Sequence, residues 1–89
     1  MKIRFFAAAA AATGAEEQQV DLSAGAVTLA DLSALLVDSY PASASSHTPP
    51  LSELLTRCSF LVNEVSTRDL TVVLQAGDVV DVLPPFAGG

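Results

Sequence analysis

Tryptophan is absent from this 89-residue chain, and cysteine, histidine, lysine and tyrosine occur once each. The single cysteine, Cys58, excludes an intramolecular disulfide and fits a reducing compartment. It lies between helix-like Leu54-Leu55 and strand-like Phe60–Val62, where a buried thiol is the usual finding. No CxxC or neighbouring histidine supports a reactive role for it. The single histidine, His47, sits in a polar loop beside Pro49-Pro50. It has no Cys, Asp or Glu at ligand spacing, so no metal site is expected, and no Ser–His–Asp set can be assembled around it. Gly14, Gly25 and Gly77 are scattered and make no phosphate-binding loop. With no acid–base or metal set, the chain is not expected to be an enzyme on its own, and no bound cofactor is expected.

Basic charge is scarce. Lys2, Arg4, Arg57 and Arg68 stand against ten Asp and Glu, a net charge of −6. That balance repels phosphate backbones, so nucleic acid is not an expected partner. Two readings of the acidity stay open: a basic partner surface, or solubility alone. Long apolar runs are also lacking, and nothing approaches the ~20 residues of a membrane span. Lys2 and Arg4 before Phe5-Phe6 and the run Ala7–Ala12 superficially resemble a signal peptide. Alanine is only weakly hydrophobic, however, and cleavage would remove Ile3, Phe5 and Ala7, an alternating set suited to a core strand. A cytoplasmic location is expected.

What is present is a dense alternation of strand and helix signals. Residues 2–8 read as a first strand, with Ile3, Phe5 and Ala7 facing one way and Lys2, Arg4 and Phe6 the other. The alanine run favours helix but is too short to hold one unaided, so residues 9–15 read as a broad hairpin connection with room for one helical turn. Residues 17–22 alternate as a second strand, and 23–27 form a loop. Thr28-Leu-Ala-Asp31 resembles a capping box, with Asp in place of the usual Glu or Gln. Leu29, Leu32, Leu35 and Leu36 then give one apolar helix face, stopped before Pro41. Residues 39–50 are an exposed Ser/Ala/Pro loop. Thr48 as cap and Pro49 in the first turn open a short second helix with Leu51, Leu54 and Leu55 inside. Residues 60–65 form a third strand, 66–69 a turn and 70–75 a short fourth segment. After the turn Ala76-Gly77-Asp78, residues 79–83 are β-branched enough for a central strand buried on both faces.

A hairpin, a crossover helix and later strands describe an α+β chain. The expected fold is a β-grasp, or ubiquitin-like, roll: a mixed sheet with one main helix and a short second helix. Residues 1–83 make the domain and 84–89 a flexible tail. In the tail, Pro84 and Pro85 end strand pairing and set the exit direction. Phe86 can anchor in an apolar pocket. Gly88 and Gly89 let a narrow channel close around the backbone. Such an arm suits threading into another protein's active site. A carboxylate on Gly89 is a poor acyl donor until adenylated, after which a sulfur nucleophile can make a thiocarboxylate.

Phe5-Phe6-Ala7, Phe60-Leu-Val-Asn63 and Ala76-Gly77-Asp78-Val79, leading to Leu83-Pro-Pro-Phe-Ala-Gly-Gly89, resemble the small subunit of molybdopterin synthase, the MoaD family. The resemblance spans nearly the whole chain, and its C-terminal block is the most specific part. It implies a sulfur carrier in molybdenum cofactor biosynthesis, itself non-catalytic. Gly89 would be adenylated by an enzyme of the ubiquitin-activating type, which uses the ATP, and then thiocarboxylated. It would give its sulfur to the dithiolene of molybdopterin inside the large synthase subunit. The resemblance also implies that Gly88 passes the channel, that Leu83, Pro84, Pro85, Phe86 and Ala87 meet partners, and that Phe6 shares their surface. The connection after the first strand departs from the family, which often carries a charged residue where this chain has Ala8–Ala12. The loop 39–50 is also long. Two alternatives remain: a sulfur carrier for thiamine or cysteine synthesis, and a ubiquitin-like modifier of lysines.

Overall fold

The sheet is organised around its last strand. In the computed structural model, which describes residues 1–22 and 25–85, β7 (Val79–Leu83) lies between β1 (Lys2–Phe5) and β4 (Ser59–Val62). β2 (Glu17–Gln19) and β5 (Val65–Thr67) form the two edges, giving the order β2-β1-β7-β4-β5. β1 runs parallel to β7, with Ile3 opposite Val80 and Phe5 opposite Val82. Every other pairing in this sheet is antiparallel. This is the mixed sheet of the expected β-grasp roll.

Register sorts the side chains onto two faces. Ile3, Phe5, Val80, Val82 and Phe60 are buried on the face that carries the helices. Helix α2 (Leu29–Ser39) buries Leu29, Leu32 and Leu36. Leu35, expected on the same face, is 43% exposed at its rim. Each fully buried leucine contributes roughly 1.5–3 kcal/mol over its exposed state. The capping box forms as expected: Asp31 N–H donates to Thr28 Oγ1 at 3.1 Å and Thr28 N–H to Asp31 Oδ2 at 3.0 Å. Those bonds hold the Asp31 carboxyl below its ordinary range. Two further amides of the first turn, on Leu29 and Ala30, donate to the carbonyls of Val72 and Leu70. There β3 (Val27–Thr28) meets β6 (Val73–Leu74) as a small second sheet.

Several local expectations are corrected. The alanine run is a true helix, α1 (Ala8–Thr13), so the described residues hold three helices rather than the two expected. Burial of Ala9 and Ala12, the left-handed cap at Gly14 (φ 74°) and the bond from Ala44 N–H to Ala12 O hold it in place. Strand β1 accordingly ends at Phe5 rather than at residue 8. The short helix α3 (Leu51–Leu54) has Pro50, not Thr48, as its cap. Residues 60–65 are not one strand. Asn63 and Glu64 take positive φ values of 49° and 71° and turn the chain from β4 into β5, as a two-residue hairpin of the primed kind requires. The turn expected at 66–69 therefore comes earlier.

Candidate functional site

The predicted site residues fall into two groups. Phe86, Ala87, Gly88 and Gly89 lie outside the described residues. Phe6, Leu83, Pro84 and Pro85 are described, and the structure brings them together. Parallel pairing sends β1 and β7 out of the sheet at the same end. Phe6 N–H continues the ladder to Val82 O at 3.3 Å, which sets Phe6 one step beyond the Phe5–Val82 pair, level with Leu83. Phe6 is 41% exposed, Pro84 is buried and Pro85 is exposed. The start of the tail therefore leaves the sheet beside an aromatic ring that no core contact claims. An open hollow of about 580 Å³ adjoins that ring, lined by Arg4, Phe5, Phe6, Ala7, Ala10, Glu16 and Glu17.

Ala7 shapes this corner. Its backbone adopts φ 50°, ψ −125°, a conformation that a residue with a Cβ rarely takes. The kink starts α1 immediately after β1 and leaves Phe6 at the sheet's end. Such strain, of order 1–3 kcal/mol, persists where the surroundings over-determine it.

On the helix-free face, Asp81 lies in the middle of β7 and is only 4% exposed. Arg4, its register partner on β1, grips it with both arms of the guanidinium: Nε donates to Oδ1 at 2.5 Å and Nη2 to Oδ2 at 2.8 Å. That fork satisfies a carboxylate that burial would otherwise penalise. The hydrogen bond to Asp81 first, and then its charge, push the Arg4 guanidinium above its already high range, and Glu64 and Glu17 add to this. Leu61, opposite Asp81 on β4, and Leu83 share this face by register. The helix-free face thus sets Leu61 and Leu83 beside one buried ion pair, with the exposed Lys2–Glu17 pair, Glu16 and Glu64 at the margins.

The entry end of β7 is built differently. Asp78 accepts from Asn63 Nδ2 at 2.9 Å and from Gln75 N–H at 2.8 Å, and Asn63 Oδ1 accepts from Val79 N–H at 3.0 Å. The bond from Asn63, then that from Gln75, hold the Asp78 carboxyl below its ordinary range. The motif Ala76-Gly77-Asp78-Val79 is therefore the lock between two turns.

Sequence reasoning missed the Arg4–Asp81 pair. Its signal was present: an acid inside a β-branched central run requires a buried partner, and Arg4 occupies the alternate face of β1. Cys58 is buried, and burial pushes its thiol up to about 11, consistent with an inert core residue. Among the described residues no cluster of His, Cys, Asp or Glu could hold a metal ion, and no helix is long and apolar enough to cross a membrane.

The sequence model of the ThiS family matches residues 3–89. The chain belongs to the ThiS family. Its members are small ubiquitin-like sulfur carriers. Among solved structures, SAMP1 from Haloferax volcanii is 30% identical over 100% of this chain and 98% of its own, with a TM-score of 0.75. A chain from the protein–protein complex of subunits 1 and 2 of molybdopterin-converting factor, from Helicobacter pylori 26695, is 26% identical. That match covers 99% of this chain and 96% of the other, with a TM-score of 0.62. No curated protein matches the chain. The fold and the family resemblance drawn from the C-terminal block agree with these matches.

Proposed function

We propose that this ThiS-family protein carries sulfur on Gly89 for the synthesis of molybdopterin, as the small, non-catalytic subunit of a two-subunit synthase in the cytoplasm. The observation that carries the reading is the family match continuing through residue 89, on a tail that starts beside Phe6. The Helicobacter pylori relative, a chain from a complex of subunits 1 and 2, supports a large-subunit partner.

The chemistry requires two partners. An adenylating enzyme lets the Gly89 carboxylate attack the α-phosphorus of ATP, and pyrophosphate leaves. A sulfide equivalent then attacks the acyl carbon, AMP leaves, and a thiocarboxylate remains. In the large subunit the sulfur passes to the pterin precursor, and water restores the carboxylate. This chain's own residues supply the arm and its aim. Gly88 and Ala87 thread the channel, Phe86 anchors, Pro84 and Pro85 stiffen the exit, and Phe6 and Leu83 form the contact surface at its root.

Intact-mass measurement after incubation with ATP, an adenylating enzyme and a sulfur source tests the first half. Exchange of one oxygen for sulfur, mapped to Gly89, is expected. No change with an active enzyme would overturn the carrier reading. Reconstitution with a molybdopterin synthase large subunit and, separately, with a thiazole synthase decides the acceptor. Conversion of the pterin precursor is expected, and sulfur accepted only by the thiazole enzyme would overturn the molybdenum assignment.

A further inference from the structure

The two edges of the main sheet are not equally guarded. Edge strand β2 reads Glu17-Gln18-Gln19; Glu17 pairs with Lys2 at 3.5 Å, and Gln18 accepts from the Tyr40 hydroxyl. Edge strand β5 reads Val65-Ser66-Thr67. It has no charge, proline or bulge, and Val65 is 67% exposed. Unprotected edges are templates for pairing with another strand.

Register shows which of its backbone groups are free. Asn63 N–H donates to Val79 O at 2.8 Å, so the odd-numbered backbone groups of β4 turn toward β7 and the even-numbered ones toward β5. Phe60 and Val62 therefore bond Thr67 and Val65. The N–H and C=O of Ser66 point away from the sheet.

Charge then selects the occupant. Glu64 and Arg68 flank the strand symmetrically about Ser66. Both are exposed, and among the described residues neither is in an ion pair. We infer that β5 is a self-association edge, which pairs antiparallel with β5 of a second copy about a two-fold axis at Ser66. That register joins the two Ser66 residues by reciprocal backbone hydrogen bonds and sets Val65 opposite Thr67 of the second copy. It brings Glu64, in the turn just before β5, and Arg68, just past its end, to the two ends of the pairing, each beside the opposite charge of the second copy. Opposed charges in adjacent strands stabilise the pairing, whereas like charges destabilise it. A parallel arrangement would set Glu64 against Glu64 and Arg68 against Arg68.

The edge is short, so the dimer is weak and reversible, well below the area of a permanent interface. It leaves Phe6, Leu83 and the start of the tail uncovered, because β5 lies two strands from β7. The inference does not depend on the chemistry assigned to Gly89. Each copy carries a charge of −6, so the association strengthens as salt screens the overall repulsion, while the close pairs are screened less.

The test is a charge swap, read by amide NMR over a concentration series and by sedimentation equilibrium at physiological salt. Concentration-dependent shifts are expected at Val65, Ser66 and Thr67. E64K and R68E, each of which sets like charges opposite one another, are each expected to weaken dimerisation about tenfold. The double variant E64K/R68E is expected to restore it to near the starting value. A monomer at all concentrations would overturn the inference. So would shifts confined to the Phe6–Leu83 end, or single variants that dimerise as well as the parent.

Discussion

The two ends of β7 are built for opposite purposes. At its entry, Asp78 and Asn63 tie the turn before β7 to the turn after β4 through a closed set of hydrogen bonds. At its exit, the neighbours are Phe6, Leu83, Pro84 and Pro85, held by backbone pairing alone: Phe6 N–H bonds Val82 O on one side and Leu83 pairs with Ser59 of β4 on the other. Order is concentrated where no chemistry is proposed. The exit is apolar and, among the described residues, has no side-chain hydrogen bonds to match those of the entry, which suits a surface proposed to accept a partner. The difference implies that substitutions at the entry act on stability and substitutions at the exit act on transfer.

The largest effect that would sharpen this contrast comes from removing Gly88 and Gly89. Sulfur transfer is expected to be abolished, with the unfolding midpoint unchanged, when activity and thermal melting are measured together. A truncated protein that melts much earlier would break the separation of the two ends. Next comes Asp78→Ala, expected to cost about 1–2 kcal/mol through the two bonds it releases, with transfer per folded molecule unaffected. Because folding lowers the Asp78 carboxyl below its unfolded value, its contribution is fully present above the unfolded pKa of about 3.9. It is lost as pH falls through the lower folded value. Asp78→Asn should therefore flatten the acid limb of stability against pH, as denaturant titrations below pH ~4 would read. The smallest effect is Ala7→Gly. Relief of the positive φ outweighs the added freedom of the unfolded chain, and a gain of up to about 1 kcal/mol is expected. Looser placement of Phe6 should weaken binding to the large subunit at the same time, which calorimetry would detect. Unchanged affinity would show that the strained corner does not position the exit.

The Arg4–Asp81 pair predicts an asymmetry across the sheet. Arg4→Met leaves a buried carboxylate without a partner, whereas Asp81→Ala leaves a half-exposed guanidinium that can turn to water. Arg4→Met should therefore lower the melting temperature more than Asp81→Ala does, and the reverse order would show that the carboxylate finds water.

Much of this was legible from residue order because the signals were local. Thr28 and Asp31 sit at capping distance, the leucines of α2 repeat with the turn of the helix, and Val79–Leu83 is too apolar for an edge. What was missed depends on distant partners. Six alanines cannot hold a helix alone, and α1 is held by Gly14, by the Ala44 amide and by burial of Ala9 and Ala12. Asn63-Glu64 lacks the glycine that marks most tight hairpins, and Asp78, fifteen residues on, secures Asn63. The pair β3–β6 is two residues long on each side and too short to show a period. At the site, the chemistry proposed for the tail rests on its residue types. The meeting of Phe6 with Leu83 and of Arg4 with Asp81 requires the parallel register, which no local pattern encodes.

That register also orders events in time. β7 is flanked by a strand from the beginning of the chain and one from its second half, so the sheet closes only through contacts spanning most of the sequence. Such contacts form late and slowly. During synthesis β1 waits, unpaired on its β7 side, until residue 83 is free to join it. The residues that follow β7 are made after every strand of this sheet, so Pro84 and Pro85 are set beside Phe6 only once β1 and β7 have paired. An activating enzyme that grips the Phe6–Leu83 surface would thereby inspect the fold before committing ATP to the tail.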